Sequence, residues 1–220
     1  MSETTHQYGY ADARVREIST AQLLGQVLFL VAVALGFCAL GTLLGRDLSL
    51  GTARICSFAG FGMLLLSSFA GGRFRVGPFA MAWLFATALL IGLGLGPVIA
   101  YFASVEEAAL TQAFAGTAAT VLGAGALGFA LSKDLARWMR PLALLVFAAC
   151  MFTIILTLFG GTISPIISLV IYGLSAALIV VDFNFLRKHG TEADAIWLAT
   201  GIFVSVVNIF VSLLNIFSGR

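Results

Sequence analysis

Seven apolar runs, each long enough to cross a bilayer, take up most of the 220 residues of this chain. An α-helix rises about 1.5 Å per residue, so the hydrocarbon layer of a membrane takes roughly 17 to 25 mostly apolar residues. The runs fall at about 21–44, 53–70, 79–103, 111–131, 139–158, 163–181 and 194–217, and the sixth has room to extend to Leu186. With 60% hydrophobic residues, 10% charged ones and a mean hydropathy of +1.06, the chain has too little polar surface to clothe a water-soluble fold. The expected fold class is therefore an all-α membrane protein, a seven-transmembrane-helix bundle. Residues 1–20, with Glu3, Asp12 and Glu17, read as a polar cytoplasmic tail without the pattern of a cleaved signal peptide, and 21–217 as one transmembrane domain.

Orientation follows from the positive charges, because short loops rich in Lys and Arg stay in the cytoplasm. One set of alternate connections holds Arg14, Arg16, Arg73, Arg75, Lys133, Arg137, Arg140, Arg187 and Lys188, which is nine of the twelve cations. The other holds Arg46, Arg54 and Arg220. The N-terminus is expected in the cytoplasm and the C-terminus outside. Glycine, at 24 residues, is concentrated in the spans: Gly92 and Gly96 share a helical face, and Gly123, Gly125 and Gly128 thin another helix. Small residues let helices approach closely in lipid, so packing within the bundle is the expected use of these positions.

Several functions are excluded. A net charge of +2 gives no basic face for nucleic acid. Cys38, Cys56 and Cys150 are far apart inside apolar runs and read as small hydrophobes, with no CxxC site. His6 and His189 lie outside the spans, so no intramembrane metal pair exists. No GxSxG, GxxxxGK[ST] or HExxH motif is present, and Gly92, Gly94 and Gly96 follow no strand. The chain is not expected to be an enzyme or to carry a cofactor.

Function is sought where polarity is costly, within the spans. Ser168, Tyr172, Ser175 and Asp182 form one stripe of the sixth span, and Ser205, Asn208, Ser212 and Asn215 one stripe of the seventh. Two antiparallel helices with such stripes would face each other or line a shared polar interior. Interhelical hydrogen bonding, worth about 1 kcal/mol per pair, accounts equally for the serines and Asn215. Asp182 has two readings: a buried acid that exchanges a proton near physiological pH, or an interfacial carboxylate solvated near Arg187. Ion-pair partners on its side of the membrane include Arg73, Arg75, Lys133 and Arg137. Glu106 and Glu107, at the opposite face, read as solvating loop carboxylates.

Two stretches resemble the Bax inhibitor-1 family in its bacterial form. QAFAGTAATVLGAGALGFALSKDLARW, from Gln112 to Trp138, is similar to that family's fourth span and the loop after it, where an AFxxTA run precedes a TKxDLS-like segment. GLSAALIVVDFNFLRKHG, followed by IFVSVVNIFVSLLNIF, resembles its last two spans, with their YDxxxI and LYLDFINLFxxLL patterns. The resemblance implies six helices around a central, polar-faced C-terminal helix, and a pH-modulated calcium or cation leak channel in the bacterial cytoplasmic (inner) membrane. It also implies a pair of acids, one on each of the last two spans, that share a pH-sensitive latch. Asp182 matches the first; the second falls on Ser205, while Asn208 matches the family asparagine. A lone carboxylate lacks the coupling of a pair, so weaker or shifted pH dependence is expected. Asp194 lies eleven residues before Ser205, too far along the helix to replace the missing acid. The gate and ion pathway are thus expected at Asp182, Ser205, Asn208, Tyr172 and Ser175, where protonation or displacement of Asp182 would loosen its contact with the last span. The alternative is a non-conducting membrane regulator that binds a protein partner such as a membrane protease.

Overall fold

A computed structural model describes residues 19–69, 74–158, 161 and 164–219. Residues 1–18, Arg73, Gly160 and Arg220 lie outside them, and with them the expected tail and the charges Arg14 and Arg16. Seven helices follow one another: α1 (Thr20–Gly45), α2 (Leu50–Phe69), α3 (Pro78–Val105), α4 (Glu107–Ala130), α5 (Ala136–Leu158), α6 (Pro165–His189) and α7 (Ala195–Phe217). All seven are long and apolar enough to cross a membrane, and the described residues contain no strand. The chain is an integral membrane protein with the fold class its apolar runs predict.

Local chemistry sets the helix ends. Ser19 and Gln22 cap the start of α1 reciprocally, each side chain accepting the other's backbone N–H at 3.2 and 3.1 Å. Pro78 and Pro165 occupy the first turns of α3 and α6, where a missing N–H costs nothing. The sixth helix runs through Asp182 to His189, past the point its apolar content marks, because Asn184, Arg187 and Lys188 find partners on a neighbouring loop.

α7 is the axis of the bundle. In its most apolar 18-residue stretch 61% of the residues are buried, against 17% in those of α2 and α5, and it packs on α6, α4, α1 and α3. α2 stands behind α3, tied by the Trp83 indole to the Met63 carbonyl at 3.1 Å, and meets α5 through stacked Phe61 and Phe147. Glycine makes the closest crossing possible. A Cβ on Gly92 would collide with the Cys38 carbonyl, and one on Gly96 with the Gly45 backbone, so α1 and α3 meet backbone to backbone. Gly128 serves α4 in the same way against the Val180 carbonyl of α6, and Gly125 admits the Phe183 ring. Gly92, Gly96, Gly125 and Gly128 thus pack within the chain, as expected, whereas Gly123 has open space around it.

Candidate functional site: the seam between the last two helices

α6 and α7 are antiparallel, joined by a short turn in which Thr191 and Asp194 cap a 3-10 segment, Glu192–Asp194. The Asp194 carboxylate accepts both the Thr191 N–H and hydroxyl, at 3.0 and 2.6 Å, so it is committed to the turn. Two contacts fix the register of the helices. Near the start of α6 the Asn215 amide donates to Ser168 Oγ at 2.7 Å. Fourteen residues further along α6 the Asp182 carboxylate lies against Gly201, fourteen residues back along α7. Ser175 and Asn208, midway between these points, therefore share a level.

The polar stripes do face each other. Ser175 and Ser205 are completely buried, and Asp182 is only 4% exposed. Ser175 Oγ, Asp182 Oδ2, Ser205 Oγ and Asn208 Nδ2 have no hydrogen-bond partner of normal geometry, although the Cys150 thiol lies beside Asn208. Tyr172 departs from the seam, its hydroxyl pairing at 3.0 Å with Thr120 of α4. At the Ser168 end the seam widens into a cleft of about 80 Å³, lined by Cys150 and Thr153 of α5 together with Ser168, Asn208, Ser212 and Asn215. Cys150 is thus both a small core residue and part of a polar wall.

Asp182 is buried rather than interfacial, and no arginine among the described residues pairs with it. Among the described residues the ion pairs are Arg46 with Asp47 and His189 with Asp134. Arg75, expected as a partner, instead lies over the Trp197 ring at 5.7 Å. That ring stands at the rim of the bundle, whereas Asp182 is seven residues inside the end of α6, roughly 10 Å deeper. Arg187 points to another neighbour, its Nη2 donating to the Leu131 carbonyl at 2.6 Å.

That neighbour is the α4–α5 connection, which the end of α6 grips through groups that sequence reasoning did not select. Asn184, fully buried, accepts the Leu135 N–H at 3.0 Å and donates to the Gly128 and Leu131 carbonyls at 3.2 and 3.1 Å. Lys188 donates to the Ser132 carbonyl, and His189 meets Asp134 at 2.7 Å. The Ala136 N–H, then the His189 ring, hold the Asp134 carboxyl below its usual value. A signal for Asn184 did exist: two residues past Asp182 it faces the far side of the helix, so a second polar neighbour was implied.

The family model described as an inhibitor of apoptosis-promoting Bax1 matches residues 20–220, all seven helices. The chain belongs to the Bax inhibitor-1 family. No curated protein matches it closely. Within this Bax inhibitor-1 fold, Asp182 of α6 lies against Gly201 of α7, and Ser205 follows one turn along α7.

Proposed function

We propose that the protein is a pH-modulated cation leak pathway, with calcium among its ions, gated at Asp182 and working without enzymatic chemistry or a resident cofactor. Its place is the cytoplasmic membrane of a bacterium, with the Arg- and Lys-rich end of the bundle inward. The single observation that carries this reading is the Asp182 carboxyl, buried between α6 and α7 with one oxygen unpartnered and no cation paired to it among the described residues. A carboxyl so placed costs several kcal/mol when ionised in a dry interface. Closed and hydrated arrangements of the seam therefore bind its proton with different affinity, which makes the interface a two-state element biased by pH. The ligand set suits passage: calcium is held tightly by six to eight oxygens rich in carboxylates, and the seam offers one carboxylate with neutral hydroxyls and amides.

Calcium flux into proteoliposomes, compared across pH 5 to 8 for the native protein and Asp182→Asn, tests this proposal. Native flux that changes with pH, and a flat profile for the variant, are expected. Identical profiles remove Asp182 as the gate. Flux no greater than that of empty vesicles overturns the channel and leaves the partner-binding regulator as the reading.

A further inference from the structure

The cleft reaches Asn208, and beyond it the unpartnered polar atoms of Ser175, Ser205 and Asp182 continue along the same seam. From Ser168 and Asn215 inward, the seam passes Ser212, then the Ser175–Asn208 level, then Ser205, and reaches Asp182 against Gly201. Each step is about one or two helical turns, a span that one or two waters bridge. Buried hydroxyls and amides are almost always hydrogen-bonded, to protein or to ordered water, and an orphan costs about 1 to 3 kcal/mol. Here Ser175 Oγ and Ser205 Oγ, both wholly buried, lack a partner among the described residues in one interface, and Asn208 Nδ2 has only the Cys150 thiol beside it. The cleft has room for water at its own level: a bound water needs roughly 10 to 15 Å³ of such space and two to four polar partners, and the cleft has about 80 Å³, lined by six polar or thiol side chains together with Ile171 and Val211. Toward the other end the seam is closed. Leu186 of α6 and Leu198 of α7, each 1% exposed, stand between Asp182 and the α6–α7 turn.

We propose that a file of bound water runs along the α6–α7 seam from the cleft to Asp182, so that this carboxyl meets solvent through the cleft end of the bundle and not through the nearer α6–α7 turn. The waters take the hydrogen bonds that Ser175, Ser205 and Asn208 lack. The consequence is sidedness: protons reach Asp182 from the side of the α5–α6 connection, and the apolar plug of Leu186 and Leu198 insulates it from the other. The file does not depend on ion conduction, since a protein that leaks no calcium would hold the same waters.

Water-edited solid-state NMR of the full chain in lipid bilayers tests it, by following magnetisation from bulk water into assigned side chains. Transfer to Ser175 and Ser205 is expected as fast as to Ser168 in the cleft, and several-fold faster than to Leu186 and Leu198. Asn208→Leu, which fills the mouth of the file, is expected to slow transfer to Ser175 and Ser205 several-fold while leaving the α4–α5 connection unchanged. Transfer to Ser175 and Ser205 no faster than to Leu198 in the native protein overturns the proposal, whatever the flux assay reports. Native transfer that reaches Leu198 as quickly as Ser205 overturns the sidedness.

Discussion

Asn184 and Asp182 are two residues apart in α6, and the difference between them shows how one helix divides its polar groups. Asn184 satisfies three backbone groups of the α4–α5 connection and is committed to structure. Asp182 keeps one oxygen without a hydrogen-bond partner among the described residues. Replacing Asn184 with Leu strands the Leu135 N–H and is expected to lower stability by about 1 to 3 kcal/mol, read as a fall in melting temperature in detergent. The exposed Asp134–His189 contact acts on the same loop and adds a pH term. Because Asp134 is held below the usual carboxyl value, it binds its proton more weakly in the folded state than in the unfolded one. The stability it lends is complete above the ordinary carboxyl range and is lost as the pH falls below about 4. Melting curves of the native protein and Asp134→Asn should differ at pH 6 and converge near pH 3. At this scale the sequence revealed which residues were costly, since Asp182, Ser175 and Ser205 stood out against apolar neighbours. It did not reveal their partners: the pairing of Tyr172 with Thr120, and of Arg75 with Trp197, depends on helix rotations that spacing along one chain leaves open.

Among the elements, α1 and α3 form the tightest pair and α7 the most enclosed helix. Gly41 and Gly45 of α1 face Gly92 and Gly96 of α3, and a side chain at any of them meets the partner's backbone, which has no rotamer with which to yield. Gly92→Val is therefore expected to cost about 1 to 3 kcal/mol or to prevent assembly of the bundle. Gly36→Ala, on a part of α1 with open space around its Cβ, is expected to leave the melting temperature unchanged. Recovery of folded protein after detergent extraction measures both. Hydropathy located all seven spans within a few residues, because bilayer thickness imposes nearly the same length on each. The end of α6 escaped it, since the last turns of that helix are held by polar contacts to Leu131, Ser132 and Asp134 that no apolar count registers.

For the whole molecule, an odd number of spans places the described termini at opposite ends of the bundle. The α2–α3, α4–α5 and α6–α7 connections share one end, where Arg75, Lys133, Arg137, Arg140, Arg187 and Lys188 gather. Arg46 and Arg54 lie at the other end with Glu106 and Glu107. A cation excess of this kind holds its end on the cytoplasmic side, reinforced here by Arg137 over Trp138, an arginine with an aromatic ring suited to the interfacial zone. With the cation-rich end inward, as proposed, the cleft would open away from the cytoplasm, and the proposed water file would then give Asp182 access to external solvent. A reporter fused after Arg220 should be active only outside the cytoplasm, and one inserted after Lys133 only within it. Reporters that both read cytoplasmic would break the seven-span topology. Both readings exchanged would keep the bundle but turn the Asp182 access route to face the cell interior.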